Sequence, residues 1–231
     1  MQETILLPLG TVFKPKDLQP GWGQFRLMIT GYFPISKDTG ECCYDYVVAP
    51  WPLGYVNVKG RGQVSFLQYS DASIEEVEYL GCISQAWRET VEKYVETANE
   101  MKLVPPVFES ESPWALRLDT ETETFSRKGG EMGTLLPLGS VVSVAAEGGR
   151  TMMLCRHKLR ISATNEVKDY AAVFWPQGDN PADEGVYLVN NEEISAVHFR
   201  GYENAFSQKL ARQLFKSSKR SLFSRIAGKV G

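Results

Sequence analysis

The chain has 231 residues, of which 43% are hydrophobic and 23% charged, a composition that fits a globular protein of one or two domains. Its net charge is −3, and the first 202 residues carry −9, which argues against a nucleic-acid-binding protein. No apolar stretch reaches the roughly 18 residues of a membrane-spanning helix, and no basic region precedes the first apolar run as in a signal peptide, so we expect a cytoplasmic protein.

An internal repeat organises the chain. The segment LLPLGTV at 6–12 returns as LLPLGSV at 135–141, which is 129 residues later. The segments after each copy also match in the same order, and the matching pairs are 27–29 with 152–154, 45–46 with 169–170, 51–54 with 175–178, and 74–81 with 194–201. Composition alone does not produce such a series, so the sequence predicts that one domain has been duplicated.

In the first copy, apolar runs bounded by turn residues predict strands, and a change of period predicts a helix. The expected strands begin at Val12 and cover 25–32, 44–49 and 64–68. An acidic segment at 71–76 is expected to form one helical turn, capped by Asp71 or Ser73. From Ser84 the apolar residues recur at helical spacing, so we expect a helix over 84–102 that packs one face on the sheet.

Residues 103–133 contain acidic residues, proline and glycine and are predicted to link the two copies. The second copy is expected to repeat the elements more compactly, with strands near 140–145, 151–156, 168–174 and 185–190. An acidic turn at 190–193 then leads into 194–199, and a helix is expected from about Asn204.

These elements predict an α+β fold with two tandem pseudo-symmetric repeats, each a small antiparallel sheet followed by an amphipathic helix. The predicted domains are 1–102 and 134–231, the second with a basic C-terminal helix, and 103–133 is the linker. A duplicated domain commonly reproduces the contact of an ancestral dimer. We therefore expect the two Leu-Pro-Leu-Gly segments to meet at the centre of the molecule.

No motif of an enzyme, a cofactor site or a metal site is recognisable in the sequence. The four cysteines form no CxxC pair and none recurs in the repeat, which predicts free thiols. His157 and His198 lie outside any nucleophile–base motif and are interpreted as surface or edge histidines. Asp45 and Asp169 recur and are interpreted as turn caps; two facing carboxylates are the alternative, and they would indicate an enzyme.

The C-terminal helix is the segment whose charge implies a partner. From 203 to 231 there are seven basic residues and one acidic residue, a local charge of +6. A basic helix with an apolar face suits an acidic partner helix, an anionic membrane surface or nucleic acid, while a solvated helix without a partner is the remaining alternative. The predicted partner-binding residues are Lys209, Arg212, Lys216, Lys219, Arg220, Leu222, Phe223 and Arg225.

The repeated residues resemble a small uncharacterised domain family of Gram-positive bacteria. The resemblance rests on Leu-Pro-Leu-Gly-Ser-Val-Val, a central Asp-Tyr, the aromatic-Pro-x-Gly turn and the closing Asn-x-Glu-x-Ile-x-x-Val-x-Phe-x-Gly-Tyr. The second copy, 134–204, carries this pattern more completely than the first, 5–82, where Leu80-Gly81-Cys82 stands in place of Gly-Tyr. Members of the family are often encoded beside LXG-type toxins that the type VII secretion system exports.

The resemblance implies an accessory protein of secretion or an immunity partner. We expect a non-enzymatic cytoplasmic binding protein that acts as a chaperone or targeting factor for an LXG-type toxin and binds a helical segment of the toxin or of a secretion component. The alternative is an immunity protein that binds and neutralises the catalytic domain of the toxin. Neither expectation includes a cofactor or nucleic acid, and the basic tail adds an anionic membrane surface as a further partner.

Overall fold

A computed structural model describes residues 6–16, 26–34, 44–54, 56–57, 64–65, 67–69, 73–100, 127–128, 134–161, 164, 166–179 and 186–227. Of 56–57, 64–65, 67–69, 98–99, 127–128 and 217–227 it describes the backbone only. Within these described residues the fold is a mixed α+β architecture with two main antiparallel sheets, a two-stranded ribbon and two α-helices. None of the described helices combines the length and apolar character needed to cross a membrane.

The first half of the chain builds a five-stranded sheet, a two-stranded ribbon and one helix. Its elements are β1 (Val12–Pro15), β2 (Arg26–Tyr32), β3 (Tyr46–Trp51), β4 (Val56–Asn57), β5 (Val64–Ser65), β6 (Leu67–Tyr69), β7 (Ile74–Tyr79) and α1 (Gln85–Glu100). The second half builds a six-stranded sheet and the other helix, from β8 (Arg127–Lys128), β9 (Val141–Val144), β10 (Arg150–Arg160), β11 (Val167–Phe174), β12 (Tyr187–Val189), β13 (Ile194–Phe199) and α2 (Ala205–Ala227).

The two sheets have the same order of matching strands. The order is β6-β3-β2-β1-β7 in the first and β12-β11-β10-β9-β13-β8 in the second, so β8 is the additional strand. The irregularities also match, because the pairing of β2 with β3 shifts at Thr30 and that of β10 with β11 shifts at Cys155. Both shifts fall at the same position of the matched sequences.

The central strands are apolar along their whole length because both of their faces are covered. In β2 and β3 every side chain except Arg26 is buried. Met28 and Met153 belong to one apolar cluster that contains residues of both sheets, whereas Leu154 belongs to a second cluster that contains the inner face of α2. Such continuous burial explains why these strands read as unbroken apolar runs rather than as alternating patterns.

The repeated Leu-Pro-Leu-Gly segment is tied to the end of the last strand in the same way in each half. The backbone N–H of Gly81 donates to Thr11 Oγ1 at 3.1 Å, and that of Gly201 donates to Ser140 Oγ at 3.0 Å. Both glycines lie so close to the chain that a Cβ would overlap the carbonyl oxygen of Leu9 or Leu138. This contact explains why both copies have glycine two residues after the strand ends.

The halves meet through reciprocal contacts. A Cβ on Gly10 would lie 3.3 Å from the Cα of Gly139, and a Cβ on Gly139 would lie 3.3 Å from the Cα of Gly10, so the two Leu-Pro-Leu-Gly segments meet as expected. Each Trp-Pro-x-Gly turn, in which the Trp–Pro peptide bond is cis, also packs on the other half. Gly54 forms a β-bridge with Arg156, and the N–H of Asp179 donates to the carbonyl of Thr30 at 2.8 Å.

Several elements differ from the sequence-based predictions. The segment 74–76 is not helical as predicted, since Ile74–Tyr79 is a strand that pairs with β1 and buries Ile74. Ser73 lies in a 3-10 turn, and residues 71–72 lie outside the described residues. The region assigned to a linker contributes β8, whose Arg127 and Lys128 pair with Val197 and Ala196. The acidic turn before β13 is confirmed as a 3-10 turn with a capping box between Asn190 and Glu193.

Candidate partner-binding surface

The helix α2 begins at a well-defined cap. Asn204 Oδ1 accepts the backbone N–H of Ser207 at 2.9 Å, and Ser207 Oγ accepts the backbone N–H of Asn204 at the same distance. Reciprocal bonds of this kind satisfy backbone donors that have no partner within a helix. The orientation of the first turns of α2 is therefore fixed by its N-terminus.

One face of α2 covers the second sheet. Ser207 and Ala211 are buried, and Leu214 and Phe215 pack on the apolar cluster formed by the second sheet. The spacing of these four residues by four, three and one places them on one side of the helix. The part of α2 up to Phe215 therefore belongs to the folded core of the second half.

The opposite face of α2 carries the basic residues. Lys209, Arg212 and Lys216 are exposed, and the ion pairs of the described residues include none of them. They line a shallow groove of about 350 Å³, and we call its lining the α2 stripe: Ala205, Gln208, Lys209, Arg212, Gln213 and Lys216. The stripe contains three positive charges, no acidic residue and no large apolar residue.

An exposed aromatic residue lies beside the stripe. The side chain of Phe206 is 61% exposed, the largest exposure among the large apolar residues that the structure describes. Because Phe206 precedes Lys209 by three positions, the two side chains are neighbours on the helix surface. Phe206 was not among the predicted site residues, since its apolar character suggested the inner face of the helix.

The structure therefore brings three of the eight predicted partner-binding residues together on one face. The other five belong to the part of α2 for which only the backbone is described, so their side chains are not placed. They are Lys219, Arg220, Leu222, Phe223 and Arg225.

The two histidines have different surroundings. His157 was predicted to be a surface or edge residue, but it is buried, and its Nε2 lies 2.7 Å from the carbonyl oxygen of Leu136. Burial lowers the pKa of His157 to about 4, because its hydrogen bond to Leu136 offsets only part of the cost of burying a charged ring. His198 is partly buried on β13, which lies between β9 and β8, and its Nε2 lies 2.6 Å from Ser143 Oγ of β9.

Asp169 caps a turn, as its sequence context predicts. Its Oδ2 accepts the backbone N–H of Asn191 at 3.0 Å, and its Oδ1 pairs with Lys158. Asn191 is the first residue of the 3-10 turn before β13, so the carboxylate fixes that turn to β11. The neighbouring Tyr170 lies in the core of its own half.

Among the described residues, the other candidates form no constellation for chemistry. Cys82 and Cys155 are buried thiols, while Cys42 and Cys43 lie outside the described residues. In the part of the chain that the structure describes, no three His, Cys, Asp or Glu side chains are grouped as metal ligands. Gly148 and Gly149 form the hairpin turn between β9 and β10.

The fold and the α2 stripe define an α+β protein that presents one basic helical face to solvent. Residues 135–210 match a family model described as "Domain of unknown function (DUF4176)". The match covers β9 to β13 and the start of α2, so that Arg212 and Lys216 lie beyond its end. No curated protein and no solved structure matches the chain.

Proposed function

We propose that the protein is a non-enzymatic cytoplasmic binding protein, a chaperone or targeting factor for an LXG-type toxin that the type VII secretion system exports. The observation that carries the proposal is the exposed α2 stripe, whose three cationic side chains have no acidic partner among the described residues. A rigid sheet supports this face, because Ala211 and Phe215 pack on the other side of the same helix. A surface fixed in this way binds with little loss of conformational entropy.

We further propose that the two halves arose by tandem duplication of the family domain. The matching strand orders support it, and so do contacts repeated at matched positions. The backbone N–H of Leu7 donates to the hydroxyl of Tyr46 at 3.1 Å, and that of Leu136 donates to the hydroxyl of Tyr170 at 2.8 Å. The contact between Gly10 and Gly139 then corresponds to a pseudo-twofold axis, as in an ancestral dimer.

Pull-down with two fragments of an LXG-type toxin tests the function. A chaperone or targeting factor is expected to retain the helical N-terminal LXG region, and an immunity protein is expected to retain the catalytic C-terminal domain. Retention of the N-terminal fragment alone supports the proposal. Retention of the catalytic fragment together with loss of its toxic activity would assign the protein to immunity, and retention of neither would refute both functions.

A further inference from the structure

The helices α1 and α2 occupy matched positions in the two halves. Each begins four residues after the matched Gly81 or Gly201, and Ser84 Oγ caps α1 as Asn204 caps α2. Over 85–96 and 205–216 the pattern of buried and exposed side chains is the same at every position except Arg88, which is partly buried where Gln208 is exposed. The residue that matches each member of the α2 stripe can therefore be read from the sequence, 120 positions earlier.

The matched face of α1 has the opposite charge. Glu89 matches Lys209, Glu92 matches Arg212 and Glu96 matches Lys216, and all six side chains are exposed. The α2 stripe carries +3 without an acidic residue. The six matched positions of α1 carry −1, because two basic residues, Arg88 and Lys93, lie among the glutamates.

We propose that the α2 stripe is a docking groove for an acidic helical segment of a partner protein, and that the charge reversal on α1 restricts the chain to one such segment. The proposal rests on the proposed binding function and specifies the chemistry of the partner. The two helices have matched caps and a matched pattern of burial, but they carry opposite charges at three exposed positions that the fold does not require to be charged. A reversal of charge at exposed positions affects what the surface binds rather than how the helix packs.

A helix fits the spacing of the charges. The rise of 1.5 Å per residue places Lys209, Arg212 and Lys216 at intervals of about 4.5 Å and about 6 Å along the axis of α2. A partner helix with acidic residues at i, i+3 and i+7 presents carboxylates at the same intervals. The groove runs from Ala205 to Lys216, about 16 Å, which corresponds to three turns of a partner helix.

The two other occupants of a basic face fit less well. A membrane-binding helix places several large apolar side chains beside its charges, whereas the stripe contains none and, among the described side chains of α2, Phe206 is the one exposed large apolar residue beside it. A second copy of this chain would offer the matched face of α1, but Arg88 and Lys93 would then lie against the cations of the stripe. An uninterrupted acidic stripe on another protein avoids both problems.

The experiment follows the backbone amide signals of the isotope-labelled full chain by NMR while a synthetic helical peptide is added. The probe is a peptide of about 20 residues, which is long enough to form a helix. Glutamates occupy positions i, i+3 and i+7 in every two helical turns, and the other positions are alanine or glutamine. A second peptide of identical composition has its glutamates distributed around the helix. We expect the striped peptide to shift the signals of 205–216 and to bind at least about tenfold more tightly than the second peptide.

Two matched triple variants sharpen the test. Lys209→Glu, Arg212→Glu and Lys216→Glu together should abolish binding of the striped peptide. The reverse exchange on α1, Glu89→Lys, Glu92→Arg and Glu96→Lys, should produce a second set of shifts at 85–96 and a stoichiometry of two peptides per chain. Since all six positions are exposed, thermal unfolding of both variants should stay close to that of the parent chain.

The outcomes separate this inference from the proposed function. Equal binding of both peptides, absence of shifts at the stripe, or one peptide per chain in the α1 variant would each overturn the acidic-helix site. So would co-sedimentation with phosphatidylglycerol vesicles that is lost in the α2 variant, or self-association that is lost in it. If the wild-type chain and the α2 variant retain the toxin fragment equally, the docking site is wrong but the binding function stands.

Discussion

At the scale of single residues, matched side chains perform matched tasks. Tyr46 and Tyr170 are both buried, and the hydroxyl of each accepts the backbone N–H of the second leucine in the Leu-Leu-Pro-Leu-Gly segment of its own half, which is Leu7 or Leu136. Those leucines precede the first strand of their sheet and have no ladder partner there, so the phenol group replaces the missing backbone acceptor. The tyrosine of the Asp-Tyr pattern thus has a structural reason in each half.

Replacing either tyrosine by phenylalanine should therefore destabilise the protein. Tyr46→Phe and Tyr170→Phe each leave a buried N–H without its acceptor, which costs about 1–3 kcal/mol in the free energy of unfolding. Urea denaturation measures this loss. Tyr187→Phe is the control, because the ring of Tyr187 packs at a tilt against Phe174 and is only partly buried, so the loss of its hydroxyl should cost less than about 0.5 kcal/mol. A loss in the control as large as in the two variants would contradict the assignment.

The buried His157 should make stability depend on pH. Its pKa is lowered from 6.5 to about 4 in the folded protein, so the unfolded chain binds the proton more tightly. Above pH 6.5 the histidine is neutral in both states and does not lower the free energy of unfolding. As the pH falls toward 4, the free energy of unfolding decreases, by about 3 kcal/mol at pH 4. In His157→Gln this dependence should disappear, and the difference in unfolding free energy between the two proteins at pH 7.5 and pH 4 measures it. The same pH dependence in both proteins would assign it to other groups.

At the scale of elements, the close contact between the Leu-Pro-Leu-Gly segment and the end of the last strand holds each sheet together. A Cβ at Gly201 would overlap the carbonyl oxygen of Leu138, so Gly201→Ala should displace one of these segments and destabilise the protein by about 3 kcal/mol or more. Gly81→Ala should behave in the same way in the first half. In the control Gly149→Ala nothing lies within 4 Å of the added Cβ, so only the left-handed backbone conformation of residue 149 is strained. This strain should lower the free energy of unfolding by about 1–2 kcal/mol, which calorimetry measures. A similar loss in all three variants would argue against the overlap.

The elements that the sequence predicted correctly are those with a clear period or a repeated motif. The helix from Ser84 has a clear period and the strand 194–199 lies in a repeated motif, and their observed bounds, Gln85–Glu100 and Ile194–Phe199, lie within two residues of the prediction. The strand at Ile74 was missed because Ser73 and the following glutamates also suit a helix N-terminus, and its pairing with β1 is a tertiary contact. The two-residue strand β8 has no period to detect. Of the predicted site, Lys209, Arg212 and Lys216 could be placed on one face from spacing alone, whereas the reversed charges of α1 gain meaning only once the matched burial of the two helices is known.

At the scale of the whole molecule, each half supports the other. The Trp-Pro-x-Gly turn of the second half binds β2 through Asp179, the hydroxyl of Tyr94 on α1 donates to the carbonyl of Gln177 in the same turn, and Tyr79 stacks on Tyr202 with ring centroids 5.2 Å apart. The outer face of α2 takes part in none of these contacts. The interior of the molecule is thus shared by the two halves, while the basic face remains available to a partner.

The separation between interior and basic face leads to a prediction about the C-terminal segment. Deletion of 216–231 removes Lys216 and the four basic residues that follow it in the chain. It leaves Ala211, Leu214 and Phe215, which pack on the second sheet. The melting temperature should therefore stay within about 2–4 °C of the full chain, as expected for a change of no more than about 1 kcal/mol. Association with the toxin fragment should weaken, and raising the salt concentration should weaken association of the full chain in the same way, since exposed charges are screened. If the deletion instead unfolds the second sheet, as tryptophan fluorescence and calorimetry would show, the end of α2 belongs to the core and not to a partner-binding surface.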